Sequence, residues 1–248
     1  AWGDAVCELA TSVGATAVIG VGTDRGSEVM AHVAAAMDLP LVANCLDIDA
    51  SGEDWEMTRV RWGGSLHERA RLAAPVKLVT IAPHSTEAAP AAGGGEVMEF
   101  VPSLGADAAV TRIVDRVVTE EGITLATAPV VVSGGRGVGS AEGFDQLDEL
   151  ASLLGGAVGC SRVVTNNGWK NHKFQVGQTG TVIAPEVYIA CGISGAIQHW
   201  VGMMASKNVI AINTDPDAPM VTKADYAVIA DLHEVVPAIA EEIRRRRG

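Results

Sequence analysis

The chain has 248 residues, 48% of them hydrophobic and 19% charged, with a formal net charge of −12. That length supports one large core or two modest ones. The acidic balance excludes nucleic acid and an anionic membrane surface as partners.

Asp4–Val13 reads as a helix and Ala17–Gly22 as a buried strand ending in a glycine turn. Gly26–Met37 has helical spacing, and Leu41–Asn44 is the next strand. That βαβ order predicts a parallel sheet. Trp55–Trp62 alternates as an antiparallel strand would, and Pro75–Ile81 is a further strand. Pro83–Gly95, rich in Ala, Pro and Gly, reads as a loop. Glu96–Pro102 and Thr111–Val118 alternate like edge strands. Glu120–Pro129 is a short polar stretch before a continuous apolar run, which sets a boundary between domains 1–122 and 123–248.

Beyond it, strands at Val130–Val132, Ala157–Cys160, Val187–Cys191, Val209–Asn213 and Tyr226–Ile229 alternate with helices at Ser140–Leu154, Ser194–Met203 and Leu232–Arg244. The expected fold is α/β: an N-terminal nucleotide-binding-like α/β domain, then a doubly wound parallel sheet. Ligands of such sheets sit at the carboxyl ends of the strands. The basic run Arg244–Arg247 reads as a solvated tail. Cys7, Cys45, Cys160 and Cys191 are widely spaced with no C-x-x-C, so reduced thiols of a cytoplasmic protein are expected, with no metal site. No apolar run reaches membrane-spanning length, so no stable membrane insertion is expected.

Several turns carry chemistry. Ser133-Gly-Gly-Arg-Gly-Val-Gly-Ser140 joins a strand to a helix. A nicotinamide loop would want an acid about 20 residues on, where this chain has Gly155–Ser161, and no Lys-Ser/Thr follows as in a Walker loop. Alone, the loop also reads as a mere turn. Arg136 favours a pyrophosphate, because a guanidinium beside free backbone amides suits one. Ser161 and Arg162 follow the strand Ala157–Cys160. Gly177-Gln-Thr-Gly180 and Gly192-Ile-Ser-Gly195 are glycine turns with hydroxyl and amide side chains about one strand apart. The second opens a short apolar helix, whose N-terminus reads as an anion site with Ser194 as its cap.

The stretch Val176-Gly-Gln-Thr-Gly, Pro185, Tyr188-Ile-Ala and Gly192-Ile-Ser-Gly-Ala-Ile-Gln-His199 resembles the alpha subunit of electron transfer flavoproteins. Val130–Gly137 extends the resemblance upstream. Ala211–Asn213, Asp215–Pro219, Ala224–Tyr226 and Asp231-Leu232 extend it downstream. It covers nearly all of residues 129–243.

The resemblance implies FAD as cofactor and residues 123–248 as the FAD-binding domain. It assigns Arg136 to the pyrophosphate, Ser161 to a cofactor contact and Arg162 to the flavin ring. It makes Val176, Gly177, Gln178 and Thr179 cofactor-binding, with the Thr179 hydroxyl near flavin N5. Ser194, Gly195, Ala196, Ile197 and Gln198 are also cofactor-binding, with a ribityl or phosphate contact at Ser194, and His199 faces the O2 edge as a hydrogen-bonding or charged imidazole. Asn213, Asp231 and Leu232, at strand carboxyl ends, suit adenosine.

Asn166 and Asn171 depart from the family's Asp and Pro, in a loop that approaches flavin and partner. More chain precedes Asp4 in the family, so an incomplete first domain covered by a partner is expected. The implied function is an electron carrier rather than an enzyme. It would take electrons from dehydrogenases and pass them to a quinone-linked oxidoreductase. It would work as a heterodimer with a beta subunit that binds AMP or a second FAD. The alternatives are a self-sufficient flavin-dependent oxidoreductase and an adenine-nucleotide binding module.

Overall fold

A computed structural model of the chain describes residues 1–86, 89–90, 93, 97–105, 108, 114 and 123–247. The chain divides into two compact units, Ala1–Val118 and Thr119–Gly248. The expected boundary between residues 122 and 123 adjoins residues 115–122, which lie outside the described residues.

The first unit runs α1 (Trp2–Ser12), β1 (Ala17–Val21), α2 (Asp24–Met37), β2 (Leu41–Asp49), β3 (Trp55–Arg61), β4 (Leu66–Leu72) and β5 (Lys77–Ile81). Helix α2 starts where Thr23 Oγ1 accepts the Gly26 N–H at 3.2 Å, and it stops at Asp38, whose φ of 51° is left-handed. The sheet order is β1-β5-β2-β3-β4, with the first three strands parallel and β3 and β4 antiparallel. Met30, Val33 and Leu78 form the core beneath α2, and Val42, Cys45, Met57, Leu72 and Val79 form a second core.

Strand β4 is absent from the sequence reading for a physical reason. In Leu66-His-Glu-Arg-Ala-Arg-Leu72 the apolar alternation of Leu66, Ala70 and Leu72 is broken by Glu68, and all but Ala70 and Leu72 are exposed. Charge pairs across the hairpin align it instead: Arg59 with Glu68 at 3.0 Å, Arg69 with Glu56 at 3.4 Å and Arg71 with Asp54 at 2.5 Å. A charged outer strand also discourages edge-to-edge pairing. The edge strand expected at Glu96–Pro102 does not form over residues 97–102. Glu96 and nearly all of Thr111–Val118 lie outside the described residues.

The second unit runs β6 (Val130–Gly134), α3 (Asp145–Leu153), β7 (Ala157–Cys160), α4 (Arg162–Asn166), β8 (Val187–Cys191), α5 (Ile197–Trp200), β9 (Asn208–Asn213), α6 (Pro219–Lys223), β10 (Tyr226–Ile229) and α7 (Leu232–Arg247). All its strands are parallel, in the order β10-β9-β8-β6-β7. Val130–Val132 of β6 and the whole of β7 and β8 are near-continuous apolar runs, as a sheet covered on both faces requires. Phe144, Leu147, Leu150, Ile189 and Val236 fill one core, and Tyr188, Val176, Ile183, Met203 and Met220 fill another. From β6 the chain moves to β7 on one side and to β8, β9 and β10 on the other. The switch point therefore lies between β6 and β8, where a doubly wound sheet binds its ligand.

Two expected helices are shorter. The span Ser140–Leu154 contains a 3₁₀ turn, Glu142–Phe144, before α3, because Gly143 packs against the Val138 carbonyl. The span Ser194–Met203 contracts to the four residues of α5. Gly195 has φ 86°, which no helix accommodates, and a Cβ there would lie 2.3 Å from the Met220 nitrogen. Ser194 is consequently not a cap. The residue before α5 is Ala196, with no side-chain hydrogen bond, and the Ser194 carbonyl accepts the Met220 N–H at 3.1 Å.

Candidate functional site

A cavity of about 660 Å³ opens at the carboxyl ends of the second sheet. Each strand contributes through the loop that follows it: Arg136 after β6, Ser161 and Arg162 after β7, Gly192–Ala196 after β8, Asn213–Asp215 after β9 and Ala230–Leu232 after β10. The Gln175–Thr179 loop closes one wall. Hydrogen bonds staple these loops together. Gly135 N–H donates to the Cys191 carbonyl at 2.9 Å, Gly137 N–H to Gly192 at 3.1 Å and Gln178 N–H to Gln198 at 2.7 Å. Gly192, at φ 62°, approaches so closely that a Cβ would sit 2.7 Å from Gly137 Cα.

Fifteen of the sixteen residues expected from the sequence line this cavity: Arg136, Ser161, Arg162, Val176, Gly177, Gln178, Thr179, Ser194, Gly195, Ala196, Gln198, His199, Asn213, Asp231 and Leu232. Ile197 does not, and its side chain is half exposed. Asn166 and Asn171 also lie outside the lining. Asn171 instead caps the turn His172–Phe174, accepting the Lys173 N–H at 3.0 Å. That loop is held by Lys170, which pairs with Asp148 at 2.7 Å and lies over the rings of Phe144 and Phe174.

The lining is polar in a particular way. Arg136 and Arg162 are exposed to the cavity, and neither has an ion-pair partner among the described residues. In a chain of net charge −12, two unpaired guanidinium groups at one cavity mark it for an anion. The N–H groups of Ser194, Gly195 and Ala196 donate to no carbonyl among the described residues. This unwound run presents N–H donors where sequence reasoning expected a helix terminus, and the four residues of α5 sum to little dipole. Ser161 Oγ and His199 Nδ1 are buried without a hydrogen-bond partner among the described residues. Such orphaned atoms are costly unless a ligand completes them.

Other side chains already have local tasks. Asn213 Nδ2 donates to the Ile193 carbonyl at 3.1 Å, and its Oδ1 accepts the Asp215 N–H at 3.1 Å, so it braces two cavity loops. Asp231 Oδ1 accepts the His233 N–H at 2.9 Å, which caps α7. Each keeps spare hydrogen-bonding capacity for a ligand.

His199 is 7% exposed, and its Nε2 lies 2.7 Å from the Tyr188 hydroxyl, which is fully buried behind it. Burial pushes the His199 pKa down to about 4, so the ring is neutral near pH 7. The hydrogen-bonding imidazole of the sequence reading therefore fits the ligand-free chain, and the charged one does not. Burial also raises the Tyr188 pKa, so that hydroxyl keeps its proton. Cys160 and Cys191 are pushed up to about 12, which leaves both as inert thiols. Sequence motifs singled out neither Gln175 nor Tyr188 as site residues. Tyr188 hydrogen-bonds to His199, and Gln175 lines the cavity. Gln175 also accepts from Thr165 and donates to Thr179.

The model of the electron transfer flavoprotein domain matches residues 1–104, and that of the electron transfer flavoprotein FAD-binding domain matches residues 124–204. The electron transfer flavoprotein subunit alpha of Bacillus subtilis is 38% identical over 227 residues, 90% of this chain and 69% of that protein. The chain belongs to the electron transfer flavoprotein alpha-subunit family. The alpha subunit of Mycobacterium tuberculosis is 38% identical over 246 residues, 99% of this chain and 76% of its own length. A probable mitochondrial alpha subunit from Cryptococcus neoformans is 38% identical over 241 residues, 96% of this chain and 69% of its own length.

The cavity fits the FAD of this family. Its size is that of an extended cofactor site, and it gathers two guanidinium groups with N–H groups and buried polar atoms that have no partner among the described residues. Among the described residues no cluster of His, Cys, Asp or Glu could hold a metal ion, and no helix is long and apolar enough to cross a membrane.

Proposed function

We propose that this alpha subunit holds FAD in the cavity between β6 and β8 and acts as an electron carrier, not as an enzyme on a small substrate. When bound, FAD supplies a ring that accepts and releases electrons. The protein's part is to hold and tune it. Arg136 and the N–H groups of Ser194, Gly195 and Ala196 bind the pyrophosphate. Arg162 sets a fixed cation at the ring, Ser161 gives its orphaned hydroxyl to the cofactor and His199 presents a neutral imidazole. Asn213 and Asp231 receive the adenosine end, while Val176, Gly177, Gln178, Gln198 and Leu232 shape the walls. Residues 123–248 form the domain that carries this site, and residues 1–122 the other.

The carrier reading extends to partners. A beta subunit, holding AMP or a second FAD, completes the heterodimer in the cytoplasm. Dehydrogenases load the electrons and a quinone-linked oxidoreductase removes them. The observation that carries the reading is the convergence on one cavity of two arginines, three N–H groups and two buried polar atoms that have no partner among the described residues, in the unit matched by the FAD-binding domain. The unpaired cysteines, three of them buried, suit a reducing compartment.

The test is electron transfer by the chain co-expressed with its beta subunit. A 1:1 complex should carry yellow FAD that bleaches when a dehydrogenase and its substrate are added, then recovers with the quinone-linked oxidoreductase. A chain that remains a yellow monomer and oxidises a small substrate by itself would instead make it a self-sufficient flavoenzyme.

A further inference from the structure

Gln175 is 2% exposed, yet it lines the cavity. Its Oε1 accepts from Thr165 Oγ1 at 2.8 Å, and its Nε2 donates to Thr179 Oγ1 at 2.9 Å. The backbone beneath is pinned. Gln175 N–H donates to the His172 carbonyl at 2.9 Å, and its carbonyl accepts the Thr181 N–H at 2.8 Å. Gly180 closes over it, since a Cβ at Gly180 would lie 3.0 Å from Gln175 Cγ. The amide is therefore held in place between two hydroxyls.

A threonine hydroxyl has one proton and two lone pairs. Thr179 accepts from Gln175, its sole hydrogen-bond partner among the described residues, so the Thr179 proton is left for the cavity that Thr179 lines. The orientation of the amide decides this. With Oε1 toward Thr179, the amide would take that proton and leave only a lone pair facing the cavity. The Thr165 O–H, 2.8 Å from Gln175 Oε1, is what turns Nε2 toward Thr179; the Arg162 carbonyl, 2.9 Å from the same hydroxyl, competes for that one proton. Successive hydrogen bonds of this kind also polarise one another, so each makes the next a better donor.

We propose that Gln175 is a positioning residue for the cofactor: through the Thr165–Gln175–Thr179 hydrogen bonds it fixes the Thr179 hydroxyl as a proton donor to an acceptor atom of the bound ring. The inference rests on the FAD reading above. Gln175 acts only through Thr179, and Thr165 acts only through Gln175.

A double-mutant cycle on the FAD-loaded heterodimer tests it, with FAD dissociation constant and midpoint potential as the two readouts. Gln175→Met should weaken FAD about three- to tenfold, the size of one neutral hydrogen bond, and should lower the potential. Thr165→Val should act in the same direction, more weakly, and serves if Gln175→Met does not fold. In a Thr179→Val background both substitutions should fall silent in both readouts. Effects that persist at full size without the Thr179 hydroxyl would overturn the relay and make Gln175 a packing residue. A parental complex that takes up no FAD would sink the cofactor reading instead, and so separates the two failures.

Discussion

Replacing Arg136 with Ala should weaken FAD binding by about 10- to 150-fold while leaving the fold unchanged. A hydrogen bond to a charged group contributes about 1.5–3 kcal/mol, and the guanidinium offers a two-pronged contact to a diphosphate. The fold does not depend on Arg136, which is exposed and makes no ion pair among the described residues. Surface changes of that kind move stability by about 0.5 kcal/mol or less. Arg136→Lys should recover only part of the affinity, because an ammonium keeps the charge but loses the planar fork. Fluorescence titration of FAD into the deflavinated complex gives the three constants. Equal constants would remove Arg136 from the site.

The second large effect is on acid stability. Burial holds the His199 pKa at about 4, below its ordinary 6.5. The unfolded chain therefore takes up the proton first as pH falls. His199 contributes its full share of stability above about pH 6.5, and that share is lost progressively down to pH 4. A gap of this size corresponds to something on the order of 3 kcal/mol. His199→Gln keeps a hydrogen-bonding partner for Tyr188 but has nothing to titrate. Urea unfolding of the FAD-free chain at pH 7 and pH 4 should show the parent losing more stability than the variant. Parallel losses in both proteins would mean that His199 is not held neutral.

Much of the second unit was legible in the sequence because parallel strands buried on both faces must be apolar throughout. Val130–Val132 and Val187–Cys191 are such runs, and both became neighbouring strands. Loops placed at strand carboxyl ends then converge without further information, which is why Arg136, Ser161 and Ser194 line one cavity despite their spacing in the chain.

What stayed hidden depends on tertiary contact. Strand β4 pairs charges with its hairpin partner, and Glu68 interrupts the hydrophobic period that would have revealed it. The shortness of α5 follows from the left-handed Gly195, forced by Met220, and from Gly202, where a Cβ would lie 2.3 Å from Gly177 Cα. Tyr188 sits in an apolar strand and looks like core until His199 folds against it at 2.7 Å. Gln175 stands just ahead of a glycine motif and draws attention only once Thr165 and Thr179 flank it.

A crystal structure of the FAD-loaded complex tests the central claim most directly. It should show one FAD in the cavity between β6 and β8, its pyrophosphate bonded to Arg136 and to the N–H groups of Ser194, Gly195 and Ala196. FAD bound elsewhere on the chain, or a pyrophosphate turned away from Arg136 and this unwound run, would contradict the account.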